Sequence, residues 1–206
     1  MNLRLASALS VVFHPLLLPS YLFLLILYYL PPEAVSLPLE ARWYVLLMVF
    51  LTTFLLPTLG TLLMRQAKVV KSMTMEERED RRWPFLLAAA CYTVTTFLFF
   101  KQPYLDRIFF VVMGLITATV YLALVINQFW KISAHSIGLG GGLGILLLLH
   151  GWLPEPVLVY PIVACLVVSG AVLSARLALG AHTENQVYIG YFLGFMIGIS
   201  LWGFAF

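Results

Sequence analysis

The chain has 206 residues, of which 62% are hydrophobic and only 10% are charged, and its formal net charge is +3 at pH 7. The charges form short clusters between long apolar runs, which is typical of an integral membrane protein and argues against a soluble domain or a nucleic-acid partner. Cys91 and Cys165 lie inside apolar runs, so neither a disulfide framework nor a metal site is indicated. We expect one transmembrane domain over residues 1–206, with a motif-bearing core at about 65–206.

Seven apolar runs are long enough to cross a bilayer as helices, which takes about 17 to 25 mostly apolar residues. They cover residues 9–30, 43–64, 84–100, 105–127, 136–153, 157–175 and 187–206. The first lacks a cleavage pattern and resembles the others, so we interpret it as a retained span and not as a signal peptide. No run shows the alternation of barrel strands, and the expected fold is therefore an all-α integral membrane helical bundle.

The links between the spans differ in character. Pro31-Pro32, Gln102-Pro103 and Pro154-Glu155-Pro156 predict tight turns on one side of the membrane. The remaining links are polar and basic, at 65–83, 128–133 and 176–185. Because the chain changes side with every span, these three basic links should share the other face.

The first basic link carries several cations. Lys71 and Arg78 are seven residues apart, close to two helical turns, so they share a face if the segment is helical. Residues 74–77 have the spacing of a capping box, which predicts a short helix beginning there. Arg81 adds a further cation nearby. The alternative is an ordinary positive-inside loop, in which neighbouring carboxylates pair with these cations.

The other two basic links carry histidines. Ser133 and His135 lie at the predicted start of a helix, where unpaired backbone amides favour an anion. In the third link Arg176 precedes His182 by six residues, and Gln186 follows four residues after it. A guanidinium group binds phosphate oxygens through two parallel N–H hydrogen bonds, and an imidazole can act as nucleophile or proton carrier. The pairing therefore favours phosphate chemistry.

Other features have structural interpretations. Gly180 is expected to end the sixth span and let the chain turn. Thr183–Gln186 has capping-box spacing, which is compatible with a second role for its glutamine. The glycine run at 138–144 lies within a span and predicts close helix packing, not a nucleotide loop. His14 and His150 are interpreted as boundary residues.

In this order the clusters resemble the three signature motifs of the type 2 phosphatidic acid phosphatase superfamily, membrane phosphatases of lipid phosphates and diphosphates. The first motif, Lys-x6-Arg-Pro, matches the spacing of Lys71 and Arg78, with Glu79 in place of proline. A second register uses Arg78 or Arg81 with Pro84.

The second and third motifs match in part. Pro-Ser-Gly-His is similar to the segment 132–135, which keeps Ser133 and His135. Ser-Arg-x5-His-x3-Asp is similar to the third link, where Arg176 and His182 keep the family spacing. Gln186 replaces the aspartate. A His-Thr-x-x-Gln version is similar to the dolichyl diphosphate phosphatase branch, which favours a polyprenyl diphosphate over a phosphatidate-type lipid.

The resemblance implies an enzyme that needs no metal or other cofactor. His182 would attack phosphorus to form a phosphohistidine, and His135 would protonate the leaving oxygen. Gln186 would orient the nucleophilic imidazole without supplying a counter-charge. The implied phosphate-binding residues are Lys71, Arg78, Arg81, Ser133 and Arg176.

Two alternatives stay open beside the phosphatase. Departures from the motifs at Glu79, Ile132, Ala134 and Gln186 fit a non-catalytic relative that binds an anionic lipid headgroup or a partner. A transporter is the third reading, since glycine-rich membrane segments can mark broken helices.

Location and span count follow partly from the resemblance. The family usually has six spans, so six to seven transmembrane helices are expected, in the bacterial inner membrane. Nine of the twelve Lys and Arg residues lie on the face of the motifs, which indicates the cytoplasm. Bacterial relatives commonly face outward, and the side of the site and the oligomeric state stay open.

Overall fold

The computed structural model describes residues 1–72, 77–153 and 156–203. Within these ranges the chain forms helices and connecting turns without strands, which confirms the all-α prediction there. The predicted turn at 154–156 and the predicted capping box at 74–77 include residues outside the described ranges. The α-helices are α1 (Leu3–Val12), α2 (Leu18–Tyr29), α3 (Leu39–Phe50), α4 (Leu56–Gln66), α5 (Arg82–Lys101), α6 (Arg107–Asn127), α7 (Ala134–Trp152), α8 (Val159–Ala178) and α9 (Glu184–Gly198).

Five helical segments of the described chain are long and apolar enough to cross a membrane, which supports a multi-pass membrane protein. They are Leu39–Gln66, Glu79–Lys101, Arg107–Asn127, Ala134–Trp152 and Val159–Ala178. The expected count of six to seven is not confirmed. The predicted span at 187–206 is represented by α9, which has 15 residues and ends at Gly198; residues 204–206 lie outside the described ranges.

The predicted span at 9–30 is two short helices, α1 and α2, and not one. Pro15 lacks an N–H group and disfavours a helical conformation at His14, so the helix cannot continue through this point. Short turns replace it, in which the His14 N–H binds Val11 O at 3.2 Å and the Leu17 N–H binds His14 O at 2.8 Å. The His14 side chain therefore lies at a break between two apolar helices.

The chain divides into two compact units. The first unit comprises residues 1–18 and 131–206, and thus α1 with α7, α8 and α9. The second unit comprises residues 19–130. The single transmembrane domain expected from the sequence stays a prediction.

In the second unit, a π-helical turn at Leu51–Leu55 joins α3 and α4 into one continuous helix. Pro57, two residues after this turn, cannot donate a hydrogen bond to the carbonyl of Thr53, four residues earlier. The hydroxyl of buried Tyr92 donates to that carbonyl at 3.3 Å instead. A neighbouring side chain thus donates a hydrogen bond to a backbone carbonyl within this irregular turn.

In the first unit, α7 and α9 pack with their backbones in contact. A Cβ atom added at Gly140 would lie 2.0 Å from Tyr191 O, and one added at Gly194 would lie 2.0 Å from Ile137 O. Gly144 has no room for a side chain either, because a Cβ atom added there would lie 2.5 Å from Phe195 O. Only glycine fits at such positions. The prediction that the glycine run of 138–144 serves close helix packing is confirmed.

The same contacts fix the direction of the two helices. The contacts advance in the same direction along both helices, since Ser136 lies beside Gly190, Ile137 beside Gly194 and Gly144 beside Gly198. The helices are therefore parallel, and their N-termini lie at one end of the unit. Helix α8 connects α7 to α9 in the chain and runs in the opposite direction, so its C-terminus comes to that same end. Leu139, Val172, Leu173 and Val187 form the buried core that joins the three helices.

Candidate functional site

Helix α8 ends in a glycine turn that positions His182. Gly180 has a φ of 62°, in the left-handed region that glycine adopts without strain. The Ala181 N–H binds Arg176 O at 3.2 Å and the Gly180 N–H binds Leu177 O at 2.9 Å, which together form a Schellman motif. The predicted role of Gly180 is confirmed. His182 follows in the turn and is only 8% exposed.

The side chain of Gln186 holds His182 in one tautomer. Nδ1 of His182 lies 2.9 Å from Gln186 Oε1, and the Thr183 N–H donates to the same oxygen at 3.3 Å. A backbone N–H can only donate, so the atom facing both groups is the amide oxygen, and Nδ1 of His182 must carry the proton. The lone pair of the imidazole is then on Nε2. Gln186 also completes the capping box that begins α9, so the helix cap and the hydrogen bond to His182 coexist.

Ser133 begins α7, as the sequence predicts. Its Oγ accepts hydrogen bonds from Ser136, at 3.4 Å from the backbone N–H and 2.9 Å from the hydroxyl. The Ser133 N–H donates to Gln186 O at 3.4 Å, which ties the start of α7 to the first turn of α9. The residue is fully buried, and its hydroxyl serves as the helix cap.

His135 lies one residue into α7 and binds the chain's N-terminal segment. Its Nε2 lies 2.9 Å from the backbone carbonyl oxygen of Ser10, at the end of α1. Because a carbonyl oxygen only accepts, Nε2 donates and carries the proton. In a neutral His135 the lone pair is therefore on Nδ1, the opposite arrangement to that of His182.

Arg176 is the cation of the cluster. Its Nη1 donates to Ser10 Oγ at 3.1 Å, while its Nε is buried and has no hydrogen-bond partner among the described residues. Within those residues, no carboxylate lies at salt-bridge distance from the guanidinium. A half-buried cation whose hydrogen-bond partner among the described residues is a hydroxyl retains donors for an anion.

The structure adds His14, which sequence reasoning did not include in the site. Its ring meets the His135 ring edge to face, with centroids 6.0 Å apart and planes at 77°. The Leu16 N–H donates to Nδ1 of His14 at 3.3 Å. The available signal in the sequence is an ionisable residue inside an apolar run.

The first unit thus brings five of the predicted residues to one end. Arg176, His14 and His182 all lie within electrostatic reach of His135. Gln186 holds His182, and Ser133 caps the adjoining helix. The N-termini of α7 and α9 also meet here, and their partial positive charges favour an anion.

The cations of the first motif belong to the second unit, and acidic neighbours engage two of them. Lys71 forms a 2.6 Å salt bridge with Glu77, and both side chains are more than half exposed. The hydrogen bond to Glu77 within this salt bridge is the main cause of the raised pKa of Lys71. Arg78 pairs with Glu79 at 3.1 Å and donates to Gln128 O at 2.9 Å. The local ion pairing expected for a positive-inside loop is confirmed at these two residues.

Two further points concern this link. Lys71 lies in a bend beyond the end of α4 and not in a helix, so the argument from helical spacing does not hold at that residue. Arg81 ends a single 3-10 turn at Glu79–Arg81 and is only 6% exposed. Phosphate contacts by Lys71, Arg78 and Arg81 stay predictions.

Comparison of the chain with protein-family models, curated proteins and solved structures finds no significant match.

Proposed function

We propose that this protein is a metal-independent membrane phosphatase that hydrolyses a lipid phosphate or diphosphate through a phosphohistidine. The observation that carries the proposal is the geometry of His182. Its Nδ1–H donates a hydrogen bond to Gln186 Oε1, with 2.9 Å between the two heavy atoms, so the lone pair on Nε2 is the one that can act as nucleophile. Arg176 and the two helix N-termini supply positive charge at the same end of the unit. Such fixed donors stabilise the charge that develops on phosphate oxygens.

The reaction divides into two displacements. Nε2 of His182 attacks phosphorus, and the bond from phosphorus to the leaving oxygen breaks with its electron pair on that oxygen. Water then attacks the phosphohistidine, releases inorganic phosphate and restores the imidazole, while its proton passes to solvent or a base. Arg176 binds the non-bridging oxygens through both steps, because its fork geometry matches phosphate.

The geometry of His135 bears on the substrate. Its Nε2 proton is engaged by the Ser10 carbonyl, so protonation of a leaving oxygen requires either release of that bond or a second proton on Nδ1. A second proton would create a cation close to Arg176, which Coulomb repulsion opposes. An alkoxide needs such an acid far more than a phosphate leaving group does. These considerations support a polyprenyl diphosphate ahead of a phosphatidate-type lipid.

The test is phosphate release by the purified protein from polyprenyl diphosphate, polyprenyl monophosphate and phosphatidate. We expect the diphosphate to react fastest and His182→Ala to lower kcat by about 10⁴-fold or more, as loss of a nucleophile does. His150→Ala is the matched control, because His150 lies near the opposite end of α7. Phosphate release from none of the lipids would refute the proposal.

A second candidate is a non-catalytic protein that binds an anionic lipid headgroup at the same cluster. The observation that favours it is Gln186, whose amide orients His182 but supplies no negative charge to steady an imidazolium. Binding of phosphatidate vesicles that persists in His182→Ala, with no phosphate release by the wild type, would support this candidate. Trapping of ³²P on a histidine of the wild type would exclude it.

A further inference from the structure

We propose that His14 is a positioning residue for His135, so that the segment from Ser10 to His14 forms part of the site. The inference rests on the proposed function for its kinetic readout, and on the geometry of the two rings for its spectroscopic one. It adds to the site a residue outside all three motif-like clusters.

The first step is that this segment contacts the His135 ring twice. The Ser10 carbonyl accepts the Nε2 proton at 2.9 Å, and the His14 ring packs against the His135 ring at 6.0 Å between centroids. A hydrogen bond alone allows the imidazole to swing about its acceptor. Edge-to-face packing against a second ring restricts that motion, because aromatic pairs favour particular orientations.

The second step is that His14 is itself held in place. Its Nδ1 accepts the Leu16 N–H at 3.3 Å, so the ring carries its proton on Nε2. The turn around it is closed by the bond from Leu17 N–H to His14 O at 2.8 Å. The ring that packs on His135 therefore has a fixed orientation.

The third step is that the same segment also meets the cation. Ser10 Oγ accepts from Arg176 Nη1 at 3.1 Å, while the Ser10 carbonyl accepts from His135. One residue of α1 thus sets the spacing between the phosphate-binding cation and the imidazole. By packing against the His135 ring, the His14 ring helps to hold the hydrogen bond between His135 and the Ser10 carbonyl.

Two substitutions separate the ring contact from the local hydrogen bond. His14→Phe keeps a ring of similar shape and removes the acceptor for Leu16. His14→Gln keeps a polar side chain that can accept from Leu16 and removes the ring. If the ring positions His135, His14→Phe should behave nearly as the wild type, and His14→Gln should be impaired.

The decisive measurement is the tautomer of His135, from ¹⁵N NMR of histidine-labelled protein in detergent micelles. We expect one Nε2-protonated form in the wild type and His14→Phe, and a mixture of tautomers in His14→Gln. For polyprenyl monophosphate, whose alkoxide leaving group needs an acid, His14→Gln should lower kcat about 10-fold, part of a general acid's usual contribution, with KM within about two-fold. For polyprenyl diphosphate the loss should be smaller. His150→Gln is the matched control and should change neither quantity.

The outcomes separate cleanly. A single Nε2-protonated His135 in His14→Gln, or an equal loss in His14→Phe and His14→Gln, would overturn the inference. A fall in thermal stability without a change of the His135 signals would assign His14 a purely structural role and also overturn it. Absence of turnover in the wild type would refute the phosphatase, whereas the tautomer measurement would still decide the role of His14.

Discussion

Two cation-bearing segments of the chain look alike in sequence and differ in their partners. In the link after α4, Lys71 and Arg78 have Glu77 and Glu79 at 2.6 and 3.1 Å. At the end of α8, Arg176 meets the Ser10 hydroxyl at 3.1 Å, and its Nε lacks a partner among the described residues. A cation that already has a carboxylate gains little from a phosphate. The partner of a cation, more than the density of charge, therefore indicates where an anion binds.

The largest effect is expected at Arg176. Arg176→Gln should lower kcat/KM for polyprenyl diphosphate by about 10² to 10³-fold, because it removes the charged donors for the phosphate oxygens. Arg176→Lys should recover only part of this loss, since an ammonium cannot reproduce the fork. Arg65→Gln removes an exposed cation at the end of α4 and is the matched control for net charge. Equal kinetics in Arg176→Gln and Arg65→Gln would break the comparison.

An intermediate effect is expected where the two parallel helices touch. Gly194→Ala places a Cβ 2.0 Å from Ile137 O, so the α7 and α9 backbones must separate, at a cost of about 1–3 kcal/mol in the free energy of unfolding. The separation also shifts His135 relative to His182, and we expect activity to fall about 10-fold or more. Thermal melts and initial rates measure the two quantities.

The control for this substitution lies in α7 itself. A Cβ at Gly142 meets nothing within 4 Å, so Gly142→Ala should be neutral or slightly stabilising. Equal stability and activity of Gly194→Ala and Gly142→Ala would show that the site does not depend on the close approach of the helices.

The smallest effect is expected at Lys71. Lys71→Ala removes an exposed cation whose carboxylate partner is also exposed, and such pairs contribute about 0–1 kcal/mol to stability. We expect kcat/KM to change by no more than about 3-fold. A loss near that of Arg176→Gln would instead establish Lys71 as the phosphate ligand that the family resemblance implies.

Features governed by neighbouring residues could be predicted from the sequence. The start of α7 at Ser133 and the turn at Gly180 follow from capping rules that involve a few adjacent residues. The pairing of Gln186 with His182 follows from their spacing of four along the chain. The glycine run of α7 predicted close packing. The surface of α9 that packs against it consists of Gly190, Gly194 and Gly198, a glycine repeat with a spacing of four that is also visible in the sequence.

Features that depend on distant residues could not be predicted. Nothing near Ser10 indicates that its carbonyl binds His135, 125 residues away, or that its hydroxyl binds Arg176, 166 residues away. The break of the first predicted span at Pro15 has a local cause, but the average hydrophobicity of residues 9–30 does not reveal it. The tautomers of the two site histidines likewise depend on which acceptor each ring meets, and only the three-dimensional arrangement supplies that.

The contacts of Ser10 also impose an order on biosynthesis. Helix α1 leaves the ribosome before its partners His135 and Arg176, which emerge more than a hundred residues later. At about 5–20 residues per second, α1 waits on the order of 10 s for them. Arg176, His135 and Ser10 therefore cannot come together before α8 has been synthesised. Whatever chemistry this end of the protein performs begins only after the chain has been made as far as α8 and α9.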